Sequence, residues 1–237
     1  MLYIIPTPVG NLEDISLRAL RLLQELDLIL AEDTRTTKKL FSKYDIHTPL
    51  KSYHNHNEHR IQEEILSLLE AGKQIGLVSD AGTPGISDPG FLIVRSCRER
   101  GIEVSALPGA TAFVPALVSS GLPSDMFHFE GFLPHKKGRQ TRLNYLATLE
   151  YTFILYESPN RLLRLLKECS SFFGEDRLIC VAREISKIHE EIKTDTATAL
   201  FEYYTAKPPK GELVIIIEGK KKVKEPKGNR YKYSKED

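Results

Sequence analysis

The chain has 237 residues, of which 41% are hydrophobic and 27% charged, and its formal net charge is +1. Such a composition belongs to a soluble globular protein of one large or two small domains; no apolar run approaches the roughly 18 residues of a membrane span, and the strand-like start has no leader-type basic or hydrophobic region, so secretion is not expected. Cys97, Cys169 and Cys180 are odd in number, widely spaced and without a CxxC, which reads as buried reduced thiols in a cytoplasmic protein.

Residues 2–5 read as a strand ending at Pro6, and Ile15, Ala19, Leu22, Leu23 and Leu26 mark a helical face over 15–26. Residues 28–31 form a second strand. Helices are predicted over 34–44 and 58–71, the latter capped by Asn57 and stopped by Gly72. A strand over 75–78 runs into Asp80-Ala-Gly-Thr-Pro-Gly-Ile-Ser-Asp-Pro-Gly90, and a helix follows from Phe91 toward Gly101. Residues 104–107 are a strand ending at Pro108-Gly109, and 110–120 an apolar helix stopped by Gly121. This alternation predicts a parallel sheet covered on both faces. After the linker-like stretch 121–125, strands are expected at 127–132, 152–156, 178–182 and 213–218, with a further one at 188–194. Helices fit 139–149, 161–173 and 196–205. The expectation is two α/β domains, 1–120 and 121–219, meeting at a cleft. A basic tail over 220–237 carries eight Lys/Arg against three Asp/Glu. It reads either as a polyanion contact or as a solvated end.

Polar clusters terminate many of the apolar runs, beginning with Pro6 to Asp14, Glu32 to Arg35, Asp80 to Pro84 and Pro108 to Ala112. In the second half, Tyr156 to Arg161 and Arg183-Glu184 repeat the arrangement. Open α/β sheets bind ligands outside the carboxyl ends of their strands, so these ends predict one shared cleft. The glycine-rich loop is neither a GxGxxG nor a GxxxxGK[ST], so dinucleotide and P-loop chemistry are not implied. Asp80 serves there as a ligand contact or as a loop cap. Asp33 and Arg35 end the second strand, either as proton acceptor and phosphate ligand or as a mutual ion pair. His54, His56 and His59 have no carboxylate or thiolate signature completing a zinc site, so no metal is assigned.

Thr7-Pro-Val-Gly-Asn-Leu-Glu-Asp14, Ala31-Glu-Asp-Thr-Arg35, Ser52-Tyr-His-Asn-His-Asn-Glu58 and Val78-Ser-Asp-Ala-Gly-Thr-Pro84 together resemble one family. Ile86-Ser-Asp-Pro-Gly90, Glu130-Gly-Phe-Leu-Pro134, Tyr156-Glu-Ser-Pro159, Ala182-Arg-Glu184 and Lys210-Gly-Glu212 extend the resemblance in the same order. The chain is similar to the 16S ribosomal RNA 2′-O-ribose cytidine methyltransferases of the tetrapyrrole-methylase superfamily. The resemblance implies a two-domain fold with a mainly parallel N-terminal sheet and a mixed C-terminal sheet. It implies S-adenosylmethionine as cofactor, 16S rRNA of the small ribosomal subunit as partner, and a homodimer.

Site residues follow from the resemblance and the loop chemistry together. Cofactor contacts are expected from Pro8, Gly10, Asp80, Gly82, Thr83, Pro84, Ser87, Ala110, Thr111 and Ala112. In the second half they are expected from Gly131, Phe132, Tyr156, Ala182, Arg183, Gly211 and Glu212. The catalytic candidates are Asp33, Arg35, His54, His56 and Glu184, among which the sequence selects no base. RNA contacts are expected from Lys136, Lys137, Arg139 and Arg142. The chain departs from the family at Gly85, Ala110-Thr111 and His135, and where longer relatives carry a small C-terminal domain it has the basic tail.

Overall fold

The computed structural model describes residues 1–221. It contains two five-stranded sheets. The first is formed by β1 (Leu2–Ile4), β2 (Leu28–Ala31), β3 (Leu50–Ser52), β4 (Ile75–Val78) and β5 (Val104–Ala106), in the order β3-β2-β4-β1-β5. Every pairing in it is parallel. β4 is buried along its whole length, which is why Ile75-Gly-Leu-Val78 reads as an apolar run rather than an alternation. The covering helices are α1 (Leu17–Glu25), α2 (Thr34–Lys43), α3 (Glu58–Glu70) and α4 (Phe91–Glu99). Leu30, Leu66 and Ile93 meet in the core on one side of the sheet, and Leu23, Ile29 and Phe41 on the other.

The second sheet has the order β6-β7-β10-β8-β9: β6 (Phe127–Phe132), β7 (Thr152–Glu157), β8 (Leu178–Arg183), β9 (Glu191–Thr196) and β10 (Leu213–Ile217). Only the β6–β7 pairing is parallel, so this sheet is mixed. One face packs on α6 (Arg139–Ala147), α7 (Leu162–Phe173) and α8 (Ala197–Ala206). The opposite face receives α5 (Phe113–Ser119), whose Ala116 and Leu117 are buried against Ile154, Cys180 and Ile216. α5 follows β5 of the first sheet yet belongs to the core of the second, so the halves share packing as well as chain.

Local chemistry explains the element ends. Ser16 caps α1 by accepting from the Ala19 N–H at 3.1 Å, and Thr196 caps α8 through the Ala199 N–H at 3.3 Å. Asn57 does not cap α3. Its amide accepts from the His54 N–H at 2.8 Å and donates to the Ser52 carbonyl at 3.1 Å, bracing the loop instead. The strand expected at 188–194 lies at Glu191–Thr196, and the edge strand β3, only three residues long, was not anticipated. Cys97, Cys169 and Cys180 are free and buried. Among the described residues no helix is long and apolar enough to cross a membrane. The expected tail lies almost wholly outside the described residues.

Candidate functional site

A cavity of about 490 Å³ opens between the sheets, within the range of small-molecule sites. The carboxyl ends of the first sheet supply Val9 after β1, Glu32 after β2, the segment Asp80 to Thr83 with Ile86, Ser87 and Asp88 after β4, and Thr111 and Ala112 after β5. Phe132 at the end of β6, Tyr156 to Pro159 at the end of β7, and Gly211 to Val214 leading into β10 form the other wall.

The floor is made of main chain. Thr7 and Gly82 exchange two backbone hydrogen bonds of 2.9 Å, which stitch the first loop to the glycine-rich one. The Thr83 hydroxyl donates to the Ala110 carbonyl at 3.0 Å, joining that loop to the one after β5. Ser87 has φ +66°, a left-handed conformation uncommon outside glycine. Gly131 faces it with φ +72°, and a Cβ there would stand 2.8 Å from the Ser87 Oγ. The β6–β7 register also shifts between Phe129 and Gly131. A strained serine thus fits against a glycine on the opposite wall, the type of local strain that clusters at functional sites.

The charge of the cavity is one-sided. Glu32, Asp80 and Asp88 line it, and among the described residues none of them forms an ion pair; Arg35 acts on Asp80 and His54 on Glu32 only as weaker influences at longer range. Burial pushes the Asp88 carboxyl up to about 6, reinforced by Glu32 and more weakly by Asp80, against a hydrogen bond from Ser79. Burial likewise raises Glu32, helped by repulsion from Asp80, and raises Asp80, where the Asp33 N–H counteracts it. Burial also pushes the Tyr156 phenol up to about 12.

The expected cofactor residues divide into two groups. Asp80, Gly82, Thr83, Ser87, Thr111, Ala112, Phe132, Tyr156, Gly211 and Glu212 line the cavity. The others do not: Gly131 backs Ser87, Ala110 holds Thr83, and Pro84 is buried. Ala182 is fully buried within its sheet, and Arg183 is directed to the Lys210 carbonyl and Glu191. Pro8 lies beside the lining residue Val9, while Gly10 is pressed against Lys187, where a Cβ would stand 2.3 Å from that side chain's Cγ. Sequence reasoning did not single out Val9, Glu32, Ile86, Asp88, Glu157, Ser158 or Leu213. Glu32, Asp88, Glu157 and Ser158 all lie within the quoted motifs, so the signal was present but unassigned.

The catalytic candidates lie outside the cavity lining. Asp33 caps α2 through the Arg35 N–H at 2.8 Å and takes the Arg35 guanidinium at 2.7 Å, and these contacts hold its carboxyl at about 2. Asp33 and Arg35 therefore form the loop-holding ion pair. Glu184, at φ +52°, is bound by Lys187 at 2.8 Å and by the Glu212 N–H at 2.9 Å. Burial opposes its ionisation, but these partners outweigh it and keep the carboxyl below the usual range. The ring Nδ1 of His54 accepts from the His56 N–H at 3.2 Å, and the two rings stand edge to face. Among the described residues no three His, Cys, Asp or Glu side chains are grouped to hold a metal ion.

The basic segment needs one correction. Arg139, expected on the RNA-facing surface, is 2% exposed. Its Nε lies 3.0 and 2.9 Å from the two Glu168 carboxylate oxygens, its Nη2 2.6 Å from Glu168, and its Nη1 donates to the Pro134 carbonyl at 3.2 Å. It starts α6 as an internal tie between that helix and α7. Arg142 is half-exposed, paired with Glu130 and stacked on Tyr145 at 4.5 Å. Lys136 and Lys137 are exposed and have no ion pair among the described residues.

The family model for Tetrapyrrole (Corrin/Porphyrin) Methylases matches residues 1–200, and the chain belongs to that family. It is 51% identical over 220 residues to a Synechocystis protein named ribosomal RNA small subunit methyltransferase I, covering 92% of this chain and 79% of that one. A protein of the same name from Thermotoga maritima is 44% identical, with 92% of this chain and 98% of that one aligned. Among solved structures, the fold is similar to the cobalamin-biosynthetic cobalt precorrin-4 methyltransferase, with a TM-score of 0.67 at 20% identity and 92% and 94% of the two chains covered. It is also similar to a uroporphyrin-III C-methyltransferase from Thermus thermophilus complexed with S-adenosylhomocysteine, with a TM-score of 0.63, 20% identity and coverage of 92% and 96%.

The donor set fits S-adenosylmethionine, which carries a sulfonium, an ammonium, a carboxylate and an adenine. Glu32, Asp80 and Asp88 suit the two cations. Main chain at Ala81 to Thr83 and the small side chains of Thr111 and Ala112 permit close approach. Val9, Phe132, Tyr156 and Leu213 offer an apolar wall for a base.

Proposed function

We propose that the protein transfers a methyl group from S-adenosylmethionine to a cytidine ribose 2′-hydroxyl in 16S rRNA of the small ribosomal subunit, acting in the cytoplasm as a homodimer. The observation that carries the reading is the cleft itself: a cofactor-sized cavity whose uncompensated charge is negative, in a chain half identical to a named small-subunit rRNA methyltransferase. The choice of a cytidine 2′-hydroxyl rests on the nine motif blocks.

S-adenosylmethionine supplies an electrophilic methyl on a positively charged sulfur. The protein's contribution is to hold the two reactants in line, a positioning effect reaching about 10⁵–10⁸ M in effective concentration in favourable cases. The backbone of the glycine-rich loop and of residues 211–214 clamps opposite sides of the cleft. Glu32 and Asp80 sit where they offset positive charge. Lys136 and Lys137 extend the second half toward an RNA phosphate backbone, each adding to the salt dependence of binding.

Calorimetric titration with S-adenosylmethionine tests the cleft. The parent should bind one equivalent per chain, and Asp80→Lys, which reverses the charge of an exposed residue of the cavity lining, should weaken binding strongly while keeping the fold. Unchanged affinity in Asp80→Lys would place the cofactor elsewhere and overturn the reading.

A further inference from the structure

Phe132 is the most exposed large apolar side chain of the cavity lining, at 54%. We propose that its ring is the platform on which the base of the methyl-accepting nucleotide stacks, holding the ribose at the mouth of the cofactor cavity. The inference rests on the methyl-transfer reading above and adds to it the residue that positions the acceptor.

The end of β6 is shaped to aim this ring. β6 pairs with β7 so that Phe129 stands beside Ile154, Gly131 beside Leu155 and Phe132 beside Tyr156. Side chains alternate along a regular strand, so residues three apart would face opposite sides of the sheet. The register shift between Phe129 and Gly131 cancels that alternation. Phe129 and Phe132 both lie against Tyr156, with ring centroids 5.2 and 5.6 Å from it. Bulges beside active sites re-aim side chains in this way. Gly131, at φ +72° and against the Ser87 Oγ, takes up the turn. Leu133, next in the chain, is 3% exposed in the core shared with α6 and α7, which leaves Phe132 on the cavity side. Phe129 in turn meets Phe113 of α5 at 4.8 Å. Phe132 is thus the outermost of four aromatic rings in contact, and the other three are half-buried. A ring braced from behind offers its free face with little freedom to lose.

Depth separates Phe132 from the rest of the apolar wall. Leu213 is buried, and Val9 and Tyr156 are half-buried, so these three suit the cofactor's adenine while Phe132 stands at the mouth. Ile86, the other exposed large apolar residue of the lining, adjoins Ser87 as Phe132 adjoins Gly131, so both border the seam where the two walls meet. Single-stranded RNA is recognised by stacking its unpaired bases on aromatic rings, with cations tracking the backbone on either side. Lys136 and Lys137 follow Phe132 closely in the chain, are exposed, and have no ion pair among the described residues. Ring and cations therefore lie in one segment, one for a base and the others for its phosphates. Stacking tolerates every base, so Phe132 positions the nucleotide without choosing it.

The test compares the parent with Phe132→Ala, Phe132→Leu and Phe132→Tyr in single-turnover methyl transfer to small ribosomal subunits lacking the modification, at saturating S-adenosylmethionine and varied subunit concentration. Cofactor Kd is measured separately by calorimetry, and Tm confirms that each variant folds. Phe132→Ala is expected to lose about 5–150-fold in the apparent second-order rate constant for the subunit, the range of one base–aromatic stack, with cofactor Kd unchanged. Phe132→Leu keeps an apolar side chain without a ring and should lose nearly as much, and it carries the test if Phe132→Ala is poorly folded. Phe132→Tyr keeps the ring and should restore the parent rate. A parent-like rate in Phe132→Ala or Phe132→Leu overturns the assignment. So does a loss that tracks a raised cofactor Kd, which would place the cofactor's adenine on this ring instead. A parent that labels no RNA at all refutes the methyl-transfer reading itself, whereas a parent that labels RNA beside an unimpaired Phe132→Ala refutes the platform alone.

Discussion

Replacing Arg139 by alanine separates a structural arginine from an RNA-binding one. The side chain is 2% exposed and its guanidinium is enclosed by Glu168 at 2.6 Å, Glu157 at 3.7 Å and the Pro134 carbonyl at 3.2 Å. Removing one partner of a buried pair costs about 3–5 kcal/mol, because the other charge is left uncompensated. Both acids keep a second partner here: Glu168 retains Arg164 at 3.0 Å and Glu157 retains Arg161 at 2.6 Å. The expected loss is therefore at the lower end, about 3 kcal/mol. With a urea slope of about 3 kcal/mol/M, the midpoint should fall by about 1 M. Equilibrium urea unfolding followed by circular dichroism measures it, with RNA affinity determined in parallel well below the transition. A midpoint within about 0.2 M of the parent, together with a lowered salt slope for RNA binding, would refute the reasoning and return Arg139 to the RNA surface.

Lys136→Ala with Lys137→Ala should leave the urea midpoint unchanged and reduce the slope of log K against log[salt] for RNA binding by about 0.7–0.9 for each phosphate no longer neutralised, as read by filter binding across a salt series. Gly211→Ala should disrupt the cavity wall, since φ is +88° and the new Cβ would stand 2.2 Å from the Glu184 carboxylate; a cofactor Kd unchanged by calorimetry would contradict this. Asp33 gives a pH prediction with a definite sign. Its carboxyl is lower in the folded protein than in an unfolded chain, so its contribution is complete above about pH 4 and is lost as pH falls toward 2. Asp33→Asn should flatten the acid limb of the Tm–pH curve in that window and leave the neutral region parallel to the parent; an unaltered acid limb would show that the Arg35 pairing does not form in solution.

How legible these features were in the sequence depended on whether their cause was local. β2 and β4 occupy the residues their apolar runs predicted, because burial along the strand leaves little freedom, and β6 does so although most of it is only half-buried. β3 escaped notice because it is a short edge strand of which only Leu50 is strongly apolar. The helix expected from 110 begins at Phe113, since the preceding residues turn toward the cavity to meet Thr83. The carboxyl ends of the strands identified the cleft correctly, yet the sequence could not rank the acids gathered there. Asp33, Glu184 and Asp88 are equivalent on paper. What distinguishes them is which has Arg35 two residues away, which has Lys187 folded back on it and which has only a serine hydroxyl. Arg139 was misread for the same reason: a basic run reads as surface, and its burial depends on Glu157 and Glu168, which are distant in the chain.

The most direct test of the central claim is methyl transfer from labelled S-adenosylmethionine to purified small ribosomal subunits lacking the modification, followed by digestion of the RNA to nucleosides. Label recovered as 2′-O-methylcytidine is the predicted result and would establish cofactor, acceptor atom and substrate class in one step. Label on a base, or transfer to a tetrapyrrole acceptor in preference to RNA, would contradict the account.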